Sequence, residues 1–247
     1  MNLLFHETFG SGRRLVMIHG WAMHSGVWRS WAQSLSENFR VTLVDLPGHG
    51  KSPSWAKVSL ENIVESLATS VANEKVTWLG WSLGGLIALE LARQYPQLTS
   101  SVVLVASNPS FIAKQNWPGV SQSWFDQFRN ELIEDTNATL RRFIAMVGGN
   151  KPHIRQLRVL WNQYPAPSLE TLLQSLALLA SIDGRGTLPI LQCPVSFMTG
   201  DNDPLVPVSV VQSISALTPN CCPLVLENTG HVPFLSHSEQ MTRALMP

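Results

Sequence analysis

The stretch of sequence that decides the fold is VTWLGWSLGG, residues 76–85. It opens with an apolar run, passes through the pattern Gly-x-Ser-x-Gly at 80–84, and leads into a helix-forming segment. A serine at a sharp turn between a buried strand and a helix stands clear only if its neighbours are small, which explains the glycines. The helix that follows places free N–H groups and partial positive charge beneath the serine. Ser82 is therefore predicted to be a nucleophile.

Apolar runs of the same kind recur on both sides of this stretch. They lie at 15–18, 41–44, 102–105, 195–198 and 223–226. Continuous runs of Val, Leu and Ile are typical of strands buried on both faces of a parallel sheet. Helical segments separate the first four strands, and they are predicted at 28–37, 60–72 and 83–95. This alternation predicts an α/β fold with a mostly parallel central sheet.

Strand-like runs disappear between residues 111 and 186. Four helical segments are predicted there, at 124–134, 138–147, 154–162 and 169–182. Residues 1–110 and 187–247 are therefore predicted to form the core, and 111–186 a helical cap (a lid) inserted into it. Such a cap would cover the carboxyl ends of the strands, where open α/β sheets bind their ligands.

Composition narrows the class of protein further. The chain has 247 residues, of which 45% are hydrophobic, and its 17 Lys and Arg balance its 17 Asp and Glu. This excludes a disordered chain and argues against a general nucleic-acid binder. Three cysteines, two of them adjacent, suggest no disulfide framework and favour a reducing compartment. With no basic leader segment and no apolar stretch of about 20 residues, a cytoplasmic protein that does not interact with membranes is predicted.

A serine hydroxyl becomes a nucleophile when a base removes its proton, and an acid must orient that base. In folds that carry a serine at such a strand–helix turn, the acid and then the histidine follow it along the chain. Two histidines, His231 and His237, lie beyond the cap. His231 sits in a Gly-His-Val-Pro loop after the last predicted strand and is the predicted base. His237 precedes a final helix and is interpreted as a surface or capping residue.

The acid is expected in the loop that follows the predicted strand 195–198. This loop contains two aspartates, Asp201 and Asp203. Asp203 lies past the turn and is the predicted triad acid. Asp201 is predicted to fold the turn through bonds with the backbone.

The tripeptide His19-Gly20-Trp21 follows the first buried strand. In this kind of fold, the residue after the His-Gly pair and the residue after the nucleophile donate backbone N–H groups to an oxyanion. Trp21 and Leu83 are therefore the predicted donors, each worth about 3–4 kcal/mol. His19 precedes the serine in the chain and is predicted to brace the loop.

One segment of the cap is unusually basic. No Asp or Glu occurs between Thr136 and Leu169, whereas five basic residues do: Arg141, Arg142, Lys151, Arg155 and Arg158. Two interpretations stay open, a solvated helix face or a docking site for an acidic partner.

Together these motifs resemble the α/β-hydrolase superfamily over the whole chain. The resemblance rests on HGW at 19–21, DLPGHG at 45–50, GWSLGG at 80–85 and GH at 230–231. Within the superfamily, the sequence is most similar to the methyl ester esterases of biotin synthesis. That narrower resemblance rests on LGWSLGG at 79–85, VASNP at 105–109, WPG at 117–119 and RF at 142–143.

The resemblance implies hydrolysis of the methyl ester of a pimeloyl chain carried on acyl carrier protein, with release of methanol. No cofactor or metal is implied, and a monomer is expected. The implied substrate site comprises Trp21, Ser82, Leu83, Phe143, Ile144, Ala145, Met146, Val147 and His231. The implied contacts to the acidic carrier are Arg142, Arg155 and Arg158.

Other activities fit the same residues. A general short-chain carboxylesterase and a carbon–carbon bond hydrolase would both use a serine, an aspartate and a histidine. A receptor that binds a small ligand without turnover is disfavoured by the complete triad and oxyanion positions. A serine at the turn also argues against dehalogenases and epoxide hydrolases, which use aspartate there.

Overall fold

The computed structural model describes residues 3–71, 74–218 and 221–246, and a seven-stranded sheet lies at the centre of this part of the chain. The strands are β1 (His6–Phe9), β2 (Arg13–Ile18), β3 (Phe39–Val44), β4 (Val76–Trp81), β5 (Thr99–Val105), β6 (Val195–Gly200) and β7 (Cys221–Leu226). Their order across the sheet is β1-β3-β2-β4-β5-β6-β7. Strand β1 runs antiparallel to β3, and the remaining pairs are parallel. The predicted α/β fold is therefore confirmed.

Nine α-helices accompany the sheet in the described ranges. They are α1 (Arg29–Leu35), α2 (Leu60–Ser70), α3 (Leu83–Gln94), α4 (Gln122–Glu134), α5 (Thr136–Gly148), α6 (Lys151–Trp161), α7 (Leu169–Ser181), α8 (Val210–Leu217) and α9 (Ser238–Leu245). The predicted strands and helices match observed elements to within a few residues. Ala72, the last residue of one predicted helix, lies outside the described residues.

Two elements were not predicted, β1 and α8. Strand β1 has the sequence HETF and alternates between exposed and half-buried residues. It forms one edge of the sheet, so it needs no continuous apolar run of the kind that marks a strand buried on both faces. This edge strand carries no sequence signal of the type used for the others.

The four helices between β5 and β6 begin at polar caps. In each, a side-chain oxygen accepts a hydrogen bond from the backbone N–H three residues on; the capping residues are Ser121, Asp135, Asn150 and Ser168. Such caps satisfy amides that have no acceptor inside the helix. The local sequence therefore fixes where each of these helices starts.

The segment that contains these helices leaves the core and returns to it at neighbouring points. Ser110 and Asp183 form an antiparallel bridge, and the Gly184 amide donates to the Pro109 carbonyl at 2.7 Å. These contacts lie close to the predicted limits of the cap (residues 111–186), although the division into core and cap stays a prediction. No helix in the described ranges combines the length and apolar character that a bilayer span needs.

Candidate active site

Ser82 occupies the turn between β4 and α3 in a strained backbone conformation. Its φ and ψ are 54° and −116°, in a region that non-glycine residues rarely adopt. Such strain costs on the order of 1–3 kcal/mol and persists only where the surroundings enforce it. Here the Ser82 amide donates to the Val105 carbonyl at 3.0 Å, and Ser107 Oγ donates to the Ser82 carbonyl at 2.7 Å. Both bonds tie the turn to the end of β5.

The two glycines that flank the serine in the motif are required by close backbone contacts. A Cβ atom on Gly80 would lie 2.1 Å from the Gly84 carbonyl oxygen. A Cβ atom on Gly84 would lie 2.3 Å from the Ile18 carbonyl oxygen, on β2. Both separations are far below a van der Waals contact, so the turn can pack against the sheet only with glycine at these positions.

Asp203 and His231 meet at the same edge of the sheet, on the loops after β6 and β7. His231 Nδ1 lies 2.8 Å from Asp203 Oδ2 and 3.0 Å from Oδ1. Both residues are buried, His231 with 1% of its surface exposed and Asp203 with 8%. Asp203 Oδ1 also accepts hydrogen bonds from the amides of Leu205 and Val206, at 2.8 and 3.0 Å. These bonds hold the carboxylate in the orientation that meets the imidazole.

The carboxylate determines which imidazole nitrogen carries the proton. Nδ1 of His231 donates to Asp203, so Nε2 of the neutral ring has a free lone pair. Within the described residues, this buried Nε2 has no hydrogen-bond partner, Ser82 included. Catalytic hydrogen bonds are often long before substrate binds. The Trp81 indole, next to Ser82 in the chain, donates to the His231 carbonyl at 2.8 Å and links the two loops.

Asp201 and His237, the other aspartate and histidine considered for the triad, lie away from the Asp203–His231 hydrogen bond. Asp201 is exposed, and its Oδ1 accepts from the Thr229 amide at 3.2 Å, joining the β6 loop to the β7 loop. His237 is half-buried at the residue before α9, and its Nδ1 lies 2.8 Å from Ser236 Oγ. Neither side chain forms a hydrogen bond with the His231 ring.

The loop after β2 carries His19 and Trp21. His19 bridges this loop to the next one, because its Nδ1 donates to the Gly20 carbonyl and its Nε2 accepts from the Leu46 amide at 2.9 Å. Complete burial lowers the pKa of His19 to about 3, so the ring is neutral at physiological pH. The Trp21 indole donates to the Leu172 carbonyl of α7 at 3.0 Å. Leu83 is the first residue of α3, so its amide has no acceptor within the helix.

The five consecutive residues expected to line a substrate site, 143–147, lie on α5. A helix turns once in 3.6 residues, so these side chains cannot all face one pocket. Phe143, Ile144 and Val147 are buried, whereas Ala145 and Met146 are only half-buried. The Phe143 ring packs edge-on against Trp21, with 5.0 Å between the ring centroids. The structure thus brings Phe143 to the loop after β2.

Sequence reasoning missed two residues near the site. Phe128 of α4 packs edge-on against Trp21 at 5.5 Å, a contact between segments about 100 residues apart that no local pattern indicates. Ser107 donates to the carbonyl of Ser82, and its position two residues after β5 was the available signal. Polar residues at the carboxyl ends of parallel strands are candidates for a site.

The predicted docking arginines differ in their surroundings. Arg142 pairs with Glu131 of α4 at 2.8 Å, so its charge is partly neutralised. The acid-free window in the sequence hides this partner because Glu131 lies outside it. Arg155 and Arg158 are exposed on α6, and within the described ranges neither forms a salt bridge. They share a helix face with Lys151.

Comparison with known proteins identifies the family to which this chain belongs. Residues 13–238 match the family model of the α/β hydrolase fold. The chain belongs to the α/β-hydrolase family. Among solved structures, an esterase from Exiguobacterium antarcticum superposes with a TM-score of 0.89 at 24% identity, covering 99% of this chain and 98% of that chain. A bromoperoxidase from Bacillus anthracis gives 0.88 at 22% identity, with coverage of 98% and 93%. These similarities show the fold.

Named relatives at higher sequence identity match nearly the whole chain. A pimeloyl-[acyl-carrier protein] methyl ester esterase from Methylococcus capsulatus is 37% identical, covering 98% of this chain and 96% of the relative. A protein of the same name from Aeromonas hydrophila is 39% identical, with coverage of 95% and 94%. In the described part of the chain, no three His, Cys, Asp or Glu side chains are grouped so that they could hold a metal ion.

Proposed function

We propose that this protein is a serine carboxylesterase that hydrolyses the methyl ester of pimeloyl-acyl carrier protein to free pimeloyl-acyl carrier protein and methanol. The observation that carries the proposal is the buried Asp203–His231 pair at the sheet edge that bears the strained Ser82. The similarity to esterases of that name over nearly the whole chain supports this substrate.

In the acylation half-reaction, His231 Nε2 takes the proton of Ser82 Oγ as that oxygen attacks the ester carbonyl. The proton on Nδ1 stays in its bond to Asp203, which stabilises the imidazolium. When the tetrahedral intermediate collapses, the bond to the methoxy oxygen breaks. His231 returns the proton to that oxygen, and methanol leaves a pimeloyl ester on Ser82.

Water completes the reaction by the same route. His231 takes a proton from the attacking water, a second tetrahedral intermediate forms, and Ser82 Oγ leaves with the proton. The product is the carboxylate of the carrier-bound pimeloyl chain. Each intermediate has a negatively charged oxygen, for which the amides of Trp21 and Leu83 are the proposed donors. Leu83 at the start of α3 also brings the positive end of the helix dipole.

The proposed acyl site lies between the loop after β2 and α5. Trp21 and Phe143 give it an apolar wall through their edge-on contact. Ile144 and Val147 are buried on the same helix and contribute behind that wall, whereas the half-buried Ala145 and Met146 lie on another part of the helix circumference. An apolar wall fits the methylene chain of a pimeloyl group, which gains free energy on leaving water.

We assign carrier docking to the exposed face of α6. Lys151, Arg155 and Val159 line a shallow groove there, and Val159 is 60% exposed. A cationic face with an apolar centre complements an acidic, amphipathic helix. Arg158 lies beside this groove, and Arg142 contributes less because Glu131 competes for it.

The proposal includes a monomer in a reducing, cytoplasmic compartment. All three cysteines are free in the structure: Cys193, Cys221 and Cys222. Burial raises the pKa of the Cys193 thiol, and it raises that of Cys221 to about 11. Neither thiol is therefore activated as a nucleophile at neutral pH.

The direct test supplies the purified protein with pimeloyl-carrier methyl ester and follows the carrier by mass spectrometry. Conversion of the ester to the free acid, with methanol released in equal amount, is the expected result, and the Ser82→Ala variant serves as the blank. Rapid turnover of a short free methyl ester with no conversion of the carrier-bound ester would instead identify a general carboxylesterase.

A further inference from the structure

His24 joins the loop after β2 to the carboxyl-terminal end of α6. It lies three residues after Trp21 and caps the short 3₁₀ helix Ser25–Trp28, because its Nδ1 accepts the Gly26 amide hydrogen at 3.1 Å. On the other side of the ring, Nε2 lies 2.8 Å from the Leu160 carbonyl oxygen. Since Nδ1 accepts, Nε2 carries the proton and donates it to Leu160.

The surroundings of the ring leave it little freedom. A Cβ atom on Gly26 would lie 2.5 Å from His24 Cε1, so only glycine allows this approach. The Tyr164 ring packs edge-on against the imidazole, with 4.8 Å between centroids and 82° between planes. His24 itself is 4% exposed. The bond to Leu160 is therefore held in one geometry.

On the core side, the contact is anchored to a buried carboxylate. Asp45 Oδ1 accepts from the amide of Ser25, next to His24, at 2.7 Å, and Oδ2 accepts from the Lys51 amide at 2.9 Å. His19, at the start of the same loop, is fixed to the Leu46 amide. These bonds hold the loop that carries His24 against the sheet.

On the other side of the contact, α6 buries little of its own surface. Leu157 is its one buried residue, whereas α5 has six. The Leu160 carbonyl lies in the last turn of the helix, where it accepts from the Gln163 amide at 3.0 Å as well as from His24 Nε2. The exposed Arg155 and Arg158 lie within the two turns that precede Leu160.

We propose that His24 is a positioning residue that sets the distance between α6 and Ser82 and thereby the length of carrier-bound acyl chain that the enzyme accepts; the inference rests on the proposed function. A carrier-bound substrate is held at its docked end, so its ester reaches Ser82 only if the docking helix lies at a matching distance. A misplacement of about 1 Å can cost about 100-fold in rate. A small free ester is not held in this way and does not depend on that distance.

Two substitutions separate the two hydrogen bonds of His24. In His24→Asn, the side-chain oxygen replaces Nδ1 as the cap of the 3₁₀ helix, but no donor reaches Leu160. In His24→Gln, the longer amide restores a donor near the position of Nε2. His153→Asn is the matched control, because His153 also belongs to α6 but its ring bonds locally, to Asn150 at 3.0 Å.

The experiment measures kcat and KM for three carrier-bound methyl esters, with a pimeloyl chain, a shorter chain and a longer chain, and for a short free ester. We expect His24→Asn to lower kcat for the pimeloyl substrate about tenfold and to flatten the preference among chain lengths. Turnover of the free ester should stay within about twofold. His24→Gln and His153→Asn should keep the parent preference. Amide hydrogen exchange over 151–164 should become faster in His24→Asn alone.

The outcomes are distinguishable. If the parent converts carrier-bound esters and His24→Asn keeps the parent's chain-length preference, the positioning role is wrong while the proposed function stands. If the parent converts no carrier-bound ester, both fail together. If His24→Asn does not fold, Gly26→Ala displaces the ring without removing it, and a retained preference in that variant overturns the role.

Discussion

At the carboxyl edge of the sheet, Ser82, Asp203 and His231 are each less than 10% exposed, and backbone amides or carbonyls hold the loops that carry them. On α6, by contrast, Arg155 and Arg158 face solvent and form no ion pair within the described residues. Both regions carry polar groups for the proposed reaction. In the first region these groups are buried and have fixed backbone partners, and in the second they are exposed to solvent.

The buried region is suited to the chemical step, and the exposed region is suited to recognition of a charged partner. Buried groups with fixed partners act on the chemical step, whose rate depends on the positions of the reacting atoms and only slightly on salt. Exposed charges act on encounter with a charged partner, where the summed field matters and salt screens it. Substitutions in the two regions should therefore differ in size, in substrate dependence and in salt dependence.

The largest effect is expected at Ser82, the proposed nucleophile. Ser82→Ala should fold normally and lower kcat for every ester by on the order of 10⁶, because no other group can form the acyl-enzyme. A fluorophosphonate probe should label the parent once and leave this variant unlabelled. Labelling at another residue would place the nucleophile elsewhere.

The next effect tests the two aspartates. Asp203→Asn should lower kcat by about 10⁴ on both carrier-bound and free esters, since the amide cannot hold His231 in the required tautomer. Asp201→Asn is the matched control in the same loop and should change kcat little, because Asp201 bonds to Thr229 and not to the histidine. Equal losses in both variants would mean that the loop fold, and not the Asp203–His231 bond, is what matters.

A smaller and selective effect is expected on α6. Reversing Arg155 and Arg158 to Glu should lower kcat/KM for the carrier-bound ester about tenfold at low salt, with a smaller loss at high salt. Hydrolysis of a short neutral ester should be unchanged. Arg40→Glu, an exposed reversal at the amino end of β3, makes half of that charge change outside α6 and controls for a general loss of positive charge. A parallel fall on both substrates would show that these arginines support the structure rather than the partner.

The last effect concerns stability and leaves neutral-pH activity intact. Burial lowers the pKa of His49 from 6.5 to about 4. Between these two pH values, His49 binds a proton in the unfolded chain but not in the folded protein. Stability should therefore fall as the pH drops from 6.5 toward 4, with about 2 kcal/mol of this loss due to His49 by pH 5. His49→Gln should show a correspondingly shallower decline in thermal midpoint, whereas the exposed control His6→Gln should follow the parent. Identical pH profiles for His49→Gln and the parent would contradict this.

Features that depend on local sequence could be predicted, whereas contacts between distant segments could not. The turn at Ser82 and the strands around it are predictable, because glycine spacing and apolar runs report local geometry. Asp203 and His231 could be proposed from chain order, although only the fold shows their 2.8 Å contact. The pairing of Arg142 with Glu131 and the link from His24 to Leu160 escaped prediction. Both join segments whose spacing in sequence says nothing about their distance in space.

The most direct test of carrier recognition compares two substrates that differ only in the carrier. Pimeloyl methyl ester attached to acyl carrier protein is set beside the same acyl group on free pantetheine, and kcat/KM is measured for both across a salt series. We expect a clear preference for the carrier-bound ester at low salt that shrinks as salt rises, with kcat for the free thioester nearly constant. Equal kcat/KM values at every salt concentration would contradict it and leave a carboxylesterase that does not recognise a carrier.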